Sequence, residues 1–237
     1  MRPIGFSTGA VAKGDFRSAL RQLRRHGVRV VELSALRVGE LAPLVQSLDH
    51  LDLSGFDFVS FHAPSRFPTA DEPHVIDRLR CVVTRGIPVV VHPDVISTLE
   101  AWQSMGSSLF LENMDKRNRV GRTARDLKNL FECFPAAGFC LDLGHARQID
   151  PTMVEARLML ENFRDRLREV HLSDVNTSSR HDALSAYAIS AFRSVAKLIP
   201  ERAPIILETL IDSGQSNIPK EIDRARRALD PVPGVAG

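Results

Sequence analysis

The chain has 237 residues, 43% of them hydrophobic and 25% charged, with a formal net charge of +2. That size and composition suit one α/β barrel with a large core and exclude a disordered chain or a disulfide-stapled miniprotein. A charge near zero gives no global field for gripping nucleic acid, and no run approaches the roughly 20 apolar residues of a membrane span, so no membrane partner is expected.

The N-terminal MRPIGFST runs directly into an apolar strand without a secretory leader, which predicts a cytoplasmic location. From there strand and helix alternate. A first strand is expected from Ile4 to Thr8, followed by a helix from Phe16 to His26 that gathers Phe16, Ala19, Leu20 and Leu23 on one face. Strands from Val28 to Ser34 and from Phe56 to His62 flank a helix from Leu41 to Asp49. A helix from Val75 to Thr84 leads to a strand from Ile87 to His92, and one from Ser97 to Ser104 leads to a strand from Ser108 to Glu112. Helices from Ala124 to Phe134 and from Pro151 to Phe163 surround a strand from Gly138 to Asp142. The last strands run from Arg168 to His171 and from Pro204 to Glu208, with helices from Ser185 to Ile199 and from Pro219 to Leu229.

These strands are nearly continuous Val, Ile, Leu and Phe, as parallel strands covered on both faces require. Gly27, Gly55, Gly86 and Gly138 precede four of them, where a turn often needs a positive φ. Eight βα units close most simply into a (β/α)8 TIM barrel. An open doubly wound sheet is the rival, but no GxGxxG or GxxxxGK[ST] loop follows any strand, so no nucleotide cofactor is expected. Residues 1–230 read as one barrel domain and 231–237, rich in Pro and Gly, as a flexible tail. Cys81, Cys133 and Cys140 are odd in number and widely spaced in apolar contexts, and read as buried thiols. Trp102 reads as packing, whereas Tyr187 follows a loop of the active face, where it can meet substrate.

Four strands end in a metal-type ligand: LFLE at Glu112, FCLD at Asp142, REVH at His171 and PIILE at Glu208. Carboxylates brought to one rim repel, and a divalent cation such as Mn, Co, Mg or Zn is the usual remedy. The same ends of the strands carry His62 in FHAP, His92 in VHPD and His145 in DLGH. A lone histidine before proline often only bonds a loop; seven polar groups in register at the catalytic face of a barrel are more than accident. Lys116, Arg117, Arg119, Arg122 and Arg125 then fall within ten residues after Glu112, as a phosphate grip or as a solvated helix start. Arg66 and Phe67 after His62 read as a lid, in preference to side chains that intrude into a bound duplex.

The string HAP, VHP, LEN, LDLGH, HLSD and LET, spread from Phe6 to Ile211, resembles the xylose isomerase-like TIM barrels, which include sugar and cyclitol isomerases and epimerases and the endonuclease IV family. In the isomerase branch the resemblance implies one divalent ion on Glu112, Asp142, His171 and Glu208, with Glu112 and Glu208 also the catalytic proton-transfer pair and His145 on a substrate oxygen. His62, Arg117, Arg119 and Arg180 are further substrate-binding candidates. In the endonuclease IV branch three zinc ions take nine ligands, of which eight are matched, adding His62, His92, His145 and His181 to the set. The ninth, an Asp in an Asp-Arg-His triplet, is replaced in Ser179-Arg180-His181, and Leu184-Ser185-Ala186-Tyr187 departs from the usual Leu-Gly-Glu-Gly. The favoured expectation is a metal-dependent isomerase or epimerase of a small polyhydroxylated carbonyl compound, with or without phosphate. The alternative is a zinc phosphodiesterase of endonuclease IV type, and only this alternative brings in nucleic acid; a compact chain with little room for DNA-binding insertions stands against it. Homo-oligomer formation is compatible with either.

Overall fold

In the computed structural model, which describes residues 2–211 and 217–230, eight parallel strands close into a barrel. They are β1 (Ile4–Ser7), β2 (Val30–Ser34), β3 (Phe58–His62), β4 (Val89–Val91), β5 (Leu109–Glu112), β6 (Gly138–Asp142), β7 (Leu167–Leu172) and, after a small hairpin, β10 (Ile205–Leu207). The two-stranded antiparallel hairpin is β8 (Asp174–Val175) with β9 (His181–Asp182). β1 closes the circle by pairing Ile4 with Ile205 on one side and Phe6 with Val31 on the other. The TIM barrel expected from the alternation is therefore present. The tail 231–237 lies outside the described residues.

Outer helices form where the apolar spacing put them, with shifted ends. They are α2 (Phe16–Arg25), α3 (Val38–Ser47), α4 (Glu72–Val83), α5 (Leu99–Gln103), α6 (Ala124–Cys133), α8 (Val154–Phe163), α9 (Ala186–Arg193) and α10 (Ile218–Leu229). The helix expected to run on to Ile199 breaks after Arg193 and continues as a 3-10 turn over Ala196–Leu198. Two short helices have no counterpart in the apolar periodicity: α1 (Thr8–Ala12) after β1 and α7 (Leu143–Ile149) after β6. Both begin at the active rim; α7 starts on a cap made by Asp142, whereas α1 has no side-chain cap and is almost wholly buried.

Two apolar layers divide the core. The large one lies between strands and helices, and the small one, Val90, Phe110 and Cys140 with Phe58 against them, fills the barrel axis. Gly27 and Gly86 adopt φ of 67° and 74° as turns require, but Gly55 and Gly138 are not in that region. Gly138 is glycine for space: a Cβ there would lie 2.7 Å from the Phe110 ring, which occupies the axis instead. Two cysteines also differ from expectation. Cys81 and Cys133 sit on exposed helix faces, and Cys140 alone is buried. Trp102 packs fully buried and donates its indole N–H to Glu72 Oε1 at 2.9 Å.

Candidate metal centre

Alternation along each strand sends every second side chain to the axis, and the last inward residue of each strand reaches the mouth. His62 ends β3, Glu112 ends β5, Asp142 ends β6, His171 lies in β7, and His92 and Glu208 directly follow β4 and β10. Glu112, Asp142, His171 and Glu208 each offer a ligand atom within 4.8 Å of the others. His62, His92 and Glu112 form a second such group, so Glu112 belongs to both. The carboxylate has a different neighbour set on each oxygen. Its Oε2 lies 3.1 Å from His62 Nε2 and 3.2 Å from His92 Nε2. Its Oε1 lies 3.3 Å from His145 Nδ1 and 3.5 Å from His171 Nδ1.

Backbone contacts fix which ring nitrogens are free. His62 Nδ1 lies 2.7 Å from the Ala63 carbonyl, which can only accept, so this nitrogen carries the proton and Nε2 turns a lone pair to Glu112. His145 Nδ1 likewise donates to the Asn113 carbonyl at 3.0 Å, and its buried Nε2 has no hydrogen-bond partner among the described residues. Asp142 caps α7 by accepting from the His145 N–H at 2.6 Å through Oδ1, and Oδ2 stays buried without a hydrogen bond. Asn113 clamps this corner, since its side chain bonds both the N–H and the carbonyl of Asp142 at 2.7 and 2.9 Å. Glu208 Oε2 is another buried oxygen lacking a hydrogen bond.

Lone pairs that face carboxylate oxygens need a positive charge between them, supplied by protons or by metal ions. In the metal-free protein protons take that place. Burial disfavours a charged His62, but Glu32 and Glu112 outweigh it and push the ring up to about 9. Burial likewise opposes charge on His145, which Asp142, Glu112 and Glu208 raise to about 10. Burial is also the main force on Glu208, raised to about 8 with the repulsion of Asp142, Glu112 and Glu32 added. His181 moves the other way, to about 4, through burial and the neighbouring His145. Converging acceptors, orphaned buried oxygens and a mixed carboxylate–imidazole set fit divalent ions of the Zn, Mn or Co type better than Mg, which prefers oxygen alone.

Above this floor opens a cavity of about 530 Å³ lined by His62, His92, Glu112, His145, His181, Glu208 and four arginines, Arg37, Arg66, Arg117 and Arg180. Asp142 and His171 are fully buried and line none of it. Arg117 is held by Asp115, a buried carboxylate that accepts from its Nε at 2.7 Å and its backbone N–H at 2.9 Å. Arg119 is exposed and outside the lining, as is Tyr187, which is 84% exposed. The hairpin carries His181 over the mouth, where Nδ1 lies 2.8 Å from Ser173 Oγ and 3.2 Å from Glu208 Oε2. Ser179, standing where the triplet would have Asp, also lines the cavity. Sequence reasoning missed Asn113, Asp115, Glu32 and Glu169. The last was findable, because the residue two before His171 stays on the inward face.

No family model matches the chain, and no curated protein does either. Solved structures do. Endonuclease IV from Thermus thermophilus is similar at 19% identity, with a TM-score of 0.62 over 95% of this chain and 97% of that one. A candidate sugar phosphate isomerase/epimerase from Anabaena variabilis gives 15% identity and a TM-score of 0.57 over 95% and 88%. A Mg-complexed dipeptide epimerase from Methylococcus capsulatus reaches a TM-score of 0.54 at 15% identity, and there the chain spans 57% of the partner. At such identities the likeness is one of fold, and it agrees with the closed eight-stranded barrel of this chain.

Proposed function

We propose that this chain is a divalent-metal-dependent hydrolase of a phosphoester, with Glu112 shared between two ions. The observation that carries this reading is the pairing of each Glu112 oxygen with its own histidines. His62 and His92 would hold one ion with Glu112, and Asp142, His171 and Glu208 would hold the other with it. An isomerase centred on one ion would leave the ring nitrogens on the far side of that carboxylate to the substrate rather than to metal. It also needs a carboxylate oxygen free to take a proton from carbon, and Oε2 is hemmed by two imidazoles instead. Bound ions would supply the positive charge that polarises a phosphoryl oxygen and eases deprotonation of water. The chain's own groups then bind and orient: Arg117, braced by Asp115, offers a guanidinium at the cavity wall, and Arg180 offers another from the hairpin. His145 presents Nε2 from a ring locked by Asn113. Chain length weighs little against a DNA substrate, since an endonuclease IV matches this chain over 97% of its own length.

A second reading, isomerisation or epimerisation of a sugar, sugar phosphate or cyclitol by Glu112 and Glu208, is favoured by one observation. Glu112, Asp142, His171 and Glu208 alone make a complete one-ion cluster, with Glu208 reaching the cavity. Metal analysis of protein purified without chelator separates the two. Two or more ions per chain, with cleavage of an abasic-site duplex or a simple phosphodiester that depends on His62 and His92, supports hydrolysis. One ion, with deuterium entering carbon of a ketose or inosose in heavy water and no phosphoester cut, overturns it.

A further inference from the structure

Beneath the metal cluster the barrel axis holds two more carboxylates that the proposed chemistry does not use. Glu32 on β2 and Glu169 on β7 are both completely buried. Glu32 Oε2 lies 3.1 Å from His171 Nε2 and Glu169 Oε1 lies 3.6 Å from it. Serines anchor the far sides. Ser60 Oγ donates to Glu169 Oε1 at 2.8 Å, and Ser34 Oγ donates to Glu32 Oε1 at 3.4 Å while sharing a 2.7 Å bond with Ser7 Oγ. Neither His171 nitrogen has a hydrogen-bond partner among the described residues, although carboxylate oxygens lie close to both.

A neutral imidazole has one N–H and one lone pair, and His171 stands between carboxylates on both sides. On the mouth side Nδ1 lies 3.5 Å from Glu112 Oε1 and 3.7 Å from Glu208 Oε2, both farther than Glu32 is from Nε2. We infer that Glu32, backed by Glu169, is a positioning residue that keeps the His171 proton on Nε2 and so turns the Nδ1 lone pair to the ion shared with Glu112, Asp142 and Glu208. This deepens the metal reading of the site and rests on it. A carboxylate behind a ligating histidine fixes the ring's orientation and tautomer and makes the other nitrogen a better donor. Glu32, His62 and His171 also come within 4.8 Å as a cation trio of their own. That use is opposed by the arrangement already in place: His62 donates Nδ1–H to Ala63 and turns Nε2 to Glu112, and His171 would have to give up its last proton.

The protonation of His171 is read directly in zinc-loaded wild-type protein by nitrogen-15 histidine NMR. His171 should show a proton on Nε2 and a metal-shifted Nδ1. Glu32→Leu should weaken zinc in a chelator competition by about 10- to 100-fold, the usual loss when the partner behind a ligand is removed. Glu32→Gln, whose amide oxygen can take the place of the carboxylate oxygen facing Nε2–H, should recover most of that affinity. A proton on Nδ1 with zinc on Nε2 overturns the inference, and does so even if neither variant folds. Loss of one whole ion per chain in Glu32→Leu, with the others bound as before, makes Glu32 a ligand and overturns it too. Wild-type protein that takes up no divalent ion sinks the metal reading together with this inference, whereas bound zinc on the wrong nitrogen sinks the inference alone.

Discussion

The two ends of the barrel axis follow opposite rules. At the floor, Val90, Phe110 and Cys140 fill the space with apolar atoms, and Gly138 leaves room for the Phe110 ring. Arg2, just before β1, is buried yet satisfied, donating to the carbonyls of Ala196, Ile199, Pro200 and Leu229. At the mouth, Asp142, His145, His171 and Glu208 keep buried polar atoms without hydrogen bonds. A buried polar atom left unpaired costs about 1–3 kcal/mol, and more when charged, so several of them in one place are tolerated only where a ligand completes the set. The floor contributes stability, and the mouth spends some of it on binding.

The largest effect should come from the floor. Phe110→Ala should cost about 3–5 kcal/mol of stability by opening a cavity on the axis, yet leave metal content and the mouth unchanged. Chemical denaturation with metal analysis of the folded fraction checks both halves. Equal loss of metal and stability would mean that the two ends are one cooperative unit. Asp142→Asn should do the reverse. The amide oxygen can keep the cap of α7, while an uncharged NH2 group that cannot ligate a cation replaces the free oxygen. Metal affinity should therefore fall by at least about a hundredfold, or about 2.7 kcal/mol, with little change in the melting temperature of the metal-free protein. Retained affinity would remove Asp142 from the ligand set.

These two sites also mark what could be read from the chain. The barrel was legible because continuous Val, Ile and Leu runs alternate with amphipathic helices, and the mouth ligands because each closes such a run. What escaped depends on the axis in three dimensions. Glu32, alone in VVELS, looks like a residue on a solvent face, and only barrel closure turns it toward His171. α7 escaped because its start is set by the Asp142 cap, and the hairpin that brings His181 over the cavity is two residues per strand, too short for a period. Arg117 and Arg119 read alike in sequence, and only the buried Asp115 separates them.

Proton linkage should divide floor from mouth by a smaller amount. In chelator-treated protein His62, His145 and Glu208 all have raised pKa values, so their shared stabilisation is complete below the ordinary values of their unfolded forms. It is lost as pH rises through about 8 for Glu208 and about 9 and 10 for the histidines. Melting temperature without metal should therefore fall from pH 7 to pH 10, and Glu208→Gln should raise it at pH 8 by roughly 2–4 °C, about 1 kcal/mol at this length. Ions must displace the same protons. Metal affinity should rise over pH 6 to 9, with measurable proton release in a weakly buffered titration. A metal-free protein whose stability ignores pH in that range would show that protons do not occupy the mouth.

The smallest effect is expected at the rim, where the two neighbouring arginines should part company. Arg117 is half of a buried-carboxylate pair and reaches the cavity, so ordering its guanidinium costs little at the moment a phosphate arrives. Arg119 is exposed and lines no part of that cavity. Arg117→Ala should raise KM about fivefold for a phosphorylated substrate, about 1 kcal/mol, and leave an unphosphorylated analogue untouched, while Arg119→Ala should change neither. If the two substitutions weaken a duplex substrate equally and a small phosphoester not at all, the loop from Lys116 to Arg125 acts as a diffuse cationic surface. Selectivity at the mouth would then come from the ions and their ligands, without help from the rim.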